Sequence, residues 1–497
     1  MKNLSKKILA LIVIVNAILV SSCQNAPAEQ GKNPADTAEV SAGGKTADVE
    51  APTERLQPDL PSVNYNGEAF TFLVHEGFSN GYWGSYEIYA EEENGDALND
   101  AVYRRNRAVE EKLNIDIKEV RADDGSTVSF TKKSVTSGDC EYDCVMPRML
   151  HAAPLSSDGY LLAFDQLPHI NLANPWWDPN LNGITIGGRL FFAMGDLMLM
   201  DKESLFVVMF NKNIAQNSGI ENLYNLVREN KWTIDKFYSI AKETAKDLNG
   251  DGKLGLDDVA GILSSRAGIN FLHFGTGETI VKKDGDDYPY LTMNNERGIR
   301  AAEKIVAIFN DTAATVIVEG TSGVSDWPNT MNGMFQNDQG MFLHAQLTYV
   351  QRNRVMESDF GILPSPKLDG TQPKYYTLIN SIASACIAVP LTVKDRERTS
   401  VVLEALSAES KYTLIPAYYD ITITNKMIRD EDSAEMLDII FSSRLFDIGV
   451  VFNWGDMWTV PQTLYPNGGN FVSTYEKREP KALQEMGKTI EVFKNLK

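Results

Sequence analysis

Twelve residues of this chain have the spacing of a loop that wraps a hard cation. Asp247, Asn249 and Asp251 stand at positions 1, 3 and 5 of a calcium loop, and Gly252 holds position 6, where the chain must turn sharply. Lys253 can offer only its carbonyl at position 7. Asp258 takes position 12, where a longer, bidentate Glu is usual, so the expected site is weakened or reshaped. The chemistry expected is structural Ca2+ binding by oxygen donors; the alternative is an acidic Asx/Gly turn with no ion. A second spacing, Gly77-Phe78-Ser79-Asn80-Gly81, matches the G-x-S-x-G elbow of a serine nucleophile. A helix must start at such a serine, yet Gly81-Tyr82-Trp83-Gly84-Ser85 reads as a loop, which argues against a hydrolase. The chain has 67 acidic residues, so no carboxylate pair is informative by its spacing alone.

The elements around these residues are legible from periodicity. The apolar run Leu205 to Phe210 predicts a buried strand. A helix opens after Thr233, with Trp232, Phe237, Ile240, Ala241 and Ala245 at three- and four-residue steps. Thr233 is its expected N-cap, and Asp235 suits its first turn. The acidic loop follows, and Val259 onward reads as a strand. With a helix on one side only, the loop is expected to be structural rather than a paired switching hand. Ala69 to Glu76 predicts a first strand, Leu98 to Leu113 an amphipathic helix, Ile115 and Ile117 a second strand, and Tyr142 to Pro147 a third. Strand, helix and strand in series predict an open α/β sheet. Gly188 to Asp196 reads as a further strand. Helices are predicted at Glu296 to Phe309, Asp395 to Ser410 and Ser433 to Phe441.

The run FNKNIAQNSGIENLYNLVRENKWTIDKF followed by DLNGDGKLGLDDVAGI resembles the family 1 extracellular solute-binding proteins of bacterial ABC importers. The branch it is most similar to is the clostridial-type lipoprotein group assigned to sugars. The resemblance runs from about Tyr65 to the C-terminus and rests on the order of motifs, not on any one of them. It implies an α/β, two-lobed periplasmic-binding-protein-like fold of type II, hinged by about three crossings. Lobe 1 is expected at 65–200 and 340–390, and lobe 2, with the calcium loop, at 201–339 and 391–497. The expected crossings are Leu205 to Phe210, Gly340 to Leu347 and Ala383 to Pro390, with Asp359 to Pro366 a strand of lobe 1. Lobes joined in this way close on a ligand as rigid bodies. The resemblance further implies that a permease recognises the closed form.

A sugar offers apolar faces to aromatic rings and hydroxyls to Asp, Asn, Glu and Arg. The chain has 7 Trp and 19 Tyr, so placement rather than supply decides. Glu76, Tyr82 and Trp83 follow the first strand, where the resemblance implies a cleft residue. Arg148 follows the third strand, Asp196 ends a strand, and His344 lies on an expected crossing. Trp176 and Trp177 are adjacent in a loop, and Trp454 lies in a late loop similar to the family's C-terminal signature. Each has a structural alternative: a lobe-edge plug for Trp176 or Trp177, core for Trp454 and His344, an ion pair with an acid at the cleft mouth for Arg148, a turn cap for Asp196.

The chain has 497 residues and a formal charge of −20. That balance argues against nucleic-acid backbones and against docking of the body on anionic membranes. Residues 1–22 read as a lipoprotein signal peptide: Lys2, Lys6 and Lys7, then an apolar stretch from Ile8 to Val20. Val20-Ser21-Ser22-Cys23 resembles a lipobox, which implies lipid on Cys23 and a place on the outer face of the cell membrane. Residues 23–64 are expected to be a disordered tether; no aromatic side chain occurs from Gln24 to Pro61. Cys140, Cys144 and Cys386 form no disulfide framework; a Cys140–Cys144 bridge across their short loop is the alternative outside the cytoplasm, and free thiols are expected. The function expected is capture of a sugar or oligosaccharide by a monomer, without catalysis. The alternatives are a secreted carbohydrate-active enzyme or hydrolase, and a glycan- or peptide-sensing surface lipoprotein.

Overall fold

The computed structural model describes residues 55–77, 83–423 and 431–495. The signal peptide, Cys23, Ser79 and Tyr82 lie outside the described residues, as does the tether up to residue 54. Residues 55–497 form one compact unit. Within it stand two five-stranded sheets, each assembled from distant parts of the chain.

The first sheet begins with β1 (Glu68–His75), whose Phe70, Phe72, Leu73 and Val74 are buried. The helix Ala97–Leu113 follows and then β2 (Ile115–Ala122), parallel to β1 over its whole length. Asp96 caps that helix, accepting from the amides of Leu98 at 3.1 Å and Asn99 at 3.0 Å. Asn114 ends it in the left-handed region, at φ 47°. β3 (Cys144–Met146) joins the other side of β1. β4 (Phe192–Ala193) is far shorter than the predicted strand 188–196.

The second sheet starts at β5 (Phe206–Asn211), buried throughout. It takes in β6 (Ala260–Ser264), then, beyond the small hairpin of β7 (Val281–Lys283) and β8 (Pro289–Leu291), β9 (Thr315–Ile317) and β10 (Gly340–Gln346). β11 (Phe360–Leu363) closes it, in the order β11-β5-β10-β6-β9. β12 (Thr377–Leu378) pairs instead with β14 (Arg444–Leu445). β13 (Ile387–Ala388) returns to the first sheet, completing the order β2-β1-β3-β13-β4.

One expected crossing and one expected strand of lobe 1 are therefore corrected. β10 does not carry the chain back; it lies inside the second sheet, antiparallel to β5 and parallel to β6. β11 lies at that sheet's edge against β5, not in the first sheet. A buried apolar run such as Met341-Phe342-Leu343 announces a strand but says nothing of which sheet it enters. The chain leaves the first sheet between Ala193 and Phe206 and regains it between Leu363 and Ile387.

Residues 55–64, expected within the tether, lie along two helices. Arg55 pairs with Glu409, and the Leu56 amide donates to the Tyr412 hydroxyl at 3.0 Å. Leu60 and Val63 pack against the core. Cys140, Cys144 and Cys386 are free thiols. Among the described residues no helix is long and apolar enough to cross a membrane.

Candidate functional site

A cavity of about 450 Å³ opens where segments following β1, β4 and β10 converge. In α/β sheets the space beyond the carboxyl ends of strands is where ligands sit, because chain segments diverge there and leave backbone and loop groups unpaired. After β1 come Tyr86, Glu87 and Tyr89. Tyr86 is 62% and Tyr89 44% exposed, an unusual display for two rings set three residues apart. After β4 come Leu199, Met200 and Glu203, on the first passage between the sheets. After β10 come Thr348 and Gln351, from the helix Thr348–Asn353 of the second sheet. Asn99 and Asp96 complete the polar rim from the start of the helix 97–113.

The two glutamates differ. Glu87 is buried and committed: it accepts from the amides of Tyr86 at 2.8 Å and Leu199 at 3.3 Å. Burial pushes its carboxyl up, and Arg105 behind it pulls the other way. Glu203 is partly exposed, and the Gln351 amide donates to it at 3.3 Å. Burial, with Glu87 and Asp201 as like charges, pushes Glu203 up to about 7. Rings, amides and carboxylates around a cavity of this size can stack on an apolar face and accept from hydroxyls or amines.

A larger, shallower groove of about 640 Å³ lies on the C-terminal helix Phe471–Asn495, lined by Lys477, Arg478 and Lys481. No strand of either five-stranded sheet ends there, so the cavity between the sheets is the better candidate.

No protein-family model and no curated protein sequence matches the chain. Solved structures do. A sugar transporter from Rhizobium etli in an open conformation superposes with a TM-score of 0.54 at 15% identity, covering 86% of this chain and all (100%) of that one. An ABC substrate-binding protein from Listeria monocytogenes, in complex with cycloalternan, gives 0.54 at 12% identity, covering 85% of this chain and 99% of its own. The maltose/maltodextrin-binding domain from Bdellovibrio bacteriovorus, bound to maltotriose, gives 0.52 at 12% identity, covering 84% and 100%. The chain has a periplasmic-binding-protein-like α/β fold. At these identities the likeness speaks for the fold alone.

In this fold the residues singled out from sequence scatter. Trp83 comes nearest to the cavity: it is buried in a small cluster with Met200, a lining residue, and Ala383. Glu76 is exposed just past β1. Arg148 binds Asp124 in a forked pair, Nε to Oδ1 at 2.6 Å, and donates to the Ile382 carbonyl at 2.6 Å. It thus ties a helix of the first sheet to the second passage. Asp196 is half-buried, 3.6 Å from the Lys411 ammonium, and burial raises its carboxyl.

Four candidates are core residues. The indoles of Trp176 and Trp177 both donate to Glu404, at 3.0 and 2.8 Å. Trp454 donates to the Thr489 hydroxyl at 3.0 Å and stacks on Phe452. His344 is wholly buried on β10, its Nδ1 3.2 Å from the Ser264 hydroxyl. The cavity residues Tyr86, Glu87, Tyr89, Glu203 and Gln351 escaped notice. A signal existed for three of them, since Tyr86-Glu87-Ile88-Tyr89 sets rings and an acid just after the first strand. Glu203 and Gln351, 148 positions apart, carry no such signal.

The residues with calcium-loop spacing hang between the helix Ile234–Thr244 and β6, from a bridge of Lys246 to Val259. Thr233 caps that helix as expected, accepting from the Lys236 amide at 3.3 Å. The oxygens of the loop serve backbone amides: Asp247 takes Gly250 at 2.7 Å and Gly252 at 2.8 Å, and Asn249 takes Asp251 at 2.9 Å. Asp251 takes Lys253 at 2.9 Å, while buried Asp258 takes Leu248 at 2.8 Å and Gly255 at 2.7 Å. The donor chemistry suits a hard cation, and each bonded oxygen keeps a second lone pair. Yet among the described residues no three His, Cys, Asp or Glu side chains converge to hold a metal ion. The loop as folded is closed by its own amides.

Proposed function

We propose that this chain captures a sugar, oligosaccharide or polyol in the cavity between its two sheets and releases it chemically unchanged. The observation that carries this reading is the cavity itself: two presented tyrosines with amide and carboxylate groups, contributed by segments beyond the strands of both sheets. The fold is one in which solved neighbours hold cycloalternan and maltotriose. Movement of one sheet against the other would open and close such a site. The leader and lipobox-like Cys23 support a lipid anchor on the outer face of the membrane, and the solute's destination would be an ABC permease.

A glycoside hydrolase is the second reading, because two glutamates line the cavity. Glu87 argues against it, since its two oxygens already serve the Leu199 and Tyr86 amides, leaving it poorly placed as acid or nucleophile. Incubation with oligosaccharides should yield no cleavage products; reducing ends appearing over time would favour the enzyme.

A thermal-shift screen of the purified chain tests the binding reading. Sugars, oligosaccharides or polyols should raise Tm, as any ligand of the native state does. Tyr86→Ala and Tyr89→Ala should each weaken that shift while leaving the ligand-free Tm nearly unchanged, because both rings are exposed. Stabilisation by short peptides alone would overturn the carbohydrate assignment.

Calcium at 247–258 is proposed on the ligand spacing. Added Ca2+ should raise Tm, a chelator should reverse it, and Asp251→Asn should weaken the effect. Identical melting with Ca2+ and with chelator would leave the loop a metal-free Asx turn.

A further inference from the structure

We propose that the solute held in this cavity carries a protonated amine, as an amino sugar does, with Glu203 as its counter-charge. The inference rests on the binding reading above and deepens it. It starts from a charge count. Three carboxylates line the cavity, and among the described residues no lysine, arginine or histidine does.

The three acids are not equivalent. Asp96 is spent on the first amides of the helix 97–113, and Glu87 on two backbone amides with Arg105 behind it. Among the described residues Glu203 has one hydrogen-bond partner, the neutral amide of Gln351, and the charged neighbours that shift it, Glu87 and Asp201, are both acidic. Asp201 in turn is satisfied elsewhere, by Lys202 and Arg444. Arg121, beside the lining residue Tyr86, is engaged, lying over the Tyr86 ring at 4.6 Å and bound to Glu119 at 2.9 Å.

An uncompensated carboxylate partly withdrawn from water is costly unless it finds a proton or a cation. Burial and the neighbouring acids push the Glu203 carboxyl up to about 7, the direction expected of an acid with no cation beside it. A neutral sugar would accept or donate hydrogen bonds but leave the charge in place. An ammonium group would supply both charge and donors, and the exposed Tyr89 ring adds an electron-rich face beside it.

Calorimetric titration of the full chain with matched probes tests this: glucosamine and its β-1,4-linked dimer, against N-acetylglucosamine, glucose and maltotriose. The amino probes should bind at least about tenfold more tightly than their N-acetylated or neutral counterparts. Glu203→Gln should erase that preference by weakening the amino probes at least about tenfold, and its melting curve would report that it folds. Equal or weaker affinity for the amino probes in the unmodified chain would overturn the inference and leave the carbohydrate reading standing. Heat from none of the saccharides would overturn both.

Discussion

A single carboxylate, Glu404, decides where two tryptophans sit. Trp176 and Trp177 look like sugar platforms in sequence, and nothing there points to an acid 228 residues away. In the fold Glu404, 1% exposed on the helix Arg396–Tyr412, accepts from both indoles and from the Asn174 amide at 2.6 Å. Those donors offset the burial that raises its carboxyl. Glu404→Leu would strand two buried indole N–H groups, each costing about 1–3 kcal/mol. Urea unfolding should show a loss of about 2–5 kcal/mol, and Glu404→Gln a smaller one, since its amide oxygen still accepts. An unchanged midpoint in the leucine variant would mean the indoles are served by other groups. Residue-scale reading failed at these tryptophans for a physical reason: an aromatic ring is equally suited to a core and to a cleft, and its partner decides.

Elements were read more securely than their partners. The strands at 68–75, 115–122, 206–211 and 260–264 and the helix after Thr233 follow from periodicity and caps, which act over a few residues. Sheet membership is set by contacts far apart in sequence, so the expected crossing at Gly340 to Leu347 and the expected lobe 1 strand at Asp359 to Pro366 both lie in the second sheet instead. The passages between the sheets show what holds such distant elements. Asp201 and Lys202, on the short helix Met200–Glu203, form a buried pair at 3.1 Å. Arg444 on β14 reaches Asp201 at 2.9 Å and Asp178 at 2.8 Å. β14 pairs with β12, which lies on the other passage, so one guanidinium links both. Arg444→Met should destabilise by about 3–5 kcal/mol, because it leaves buried carboxylates short of a partner. Arg444→Lys should recover only part of this, a point charge being unable to fork between two acids. Hydrogen exchange at residues 199–205 and 377–378 should quicken in both variants; protection equal to the parent chain would show that the passages hold without this link.

At the scale of the whole molecule, buried titratable groups set how stability responds to pH. His75, His273 and His344 are wholly buried, and burial lowers them to about 4, about 4 and about 3. In the unfolded chain each would titrate near 6.5. Between those values the unfolded state binds more protons, so stability is full above about pH 6.5 and drains away as pH falls toward 4. Acids oppose this, for burial raises the carboxyls of Glu87, Glu119, Asp143, Asp196 and Glu404, and of two more. Burial lifts Asp447 to about 6, and burial with like charges lifts Glu203 to about 7. A raised carboxyl gives the folded state the extra proton, so those two favour the fold as pH falls through the same window. Glu203 is partly open to solvent and is screened accordingly. The imidazoles act in the opposite sense to all of these carboxyls, so their share shows in the difference between the parent chain and a histidine variant. Between pH 7 and pH 4.5 the urea midpoint of His344→Gln should fall less, or rise more, than that of the parent chain, because the variant has lost a group that the unfolded state protonates first. Parallel pH profiles in the two chains would mean that burial of His344 takes no part in the response of this molecule to acid.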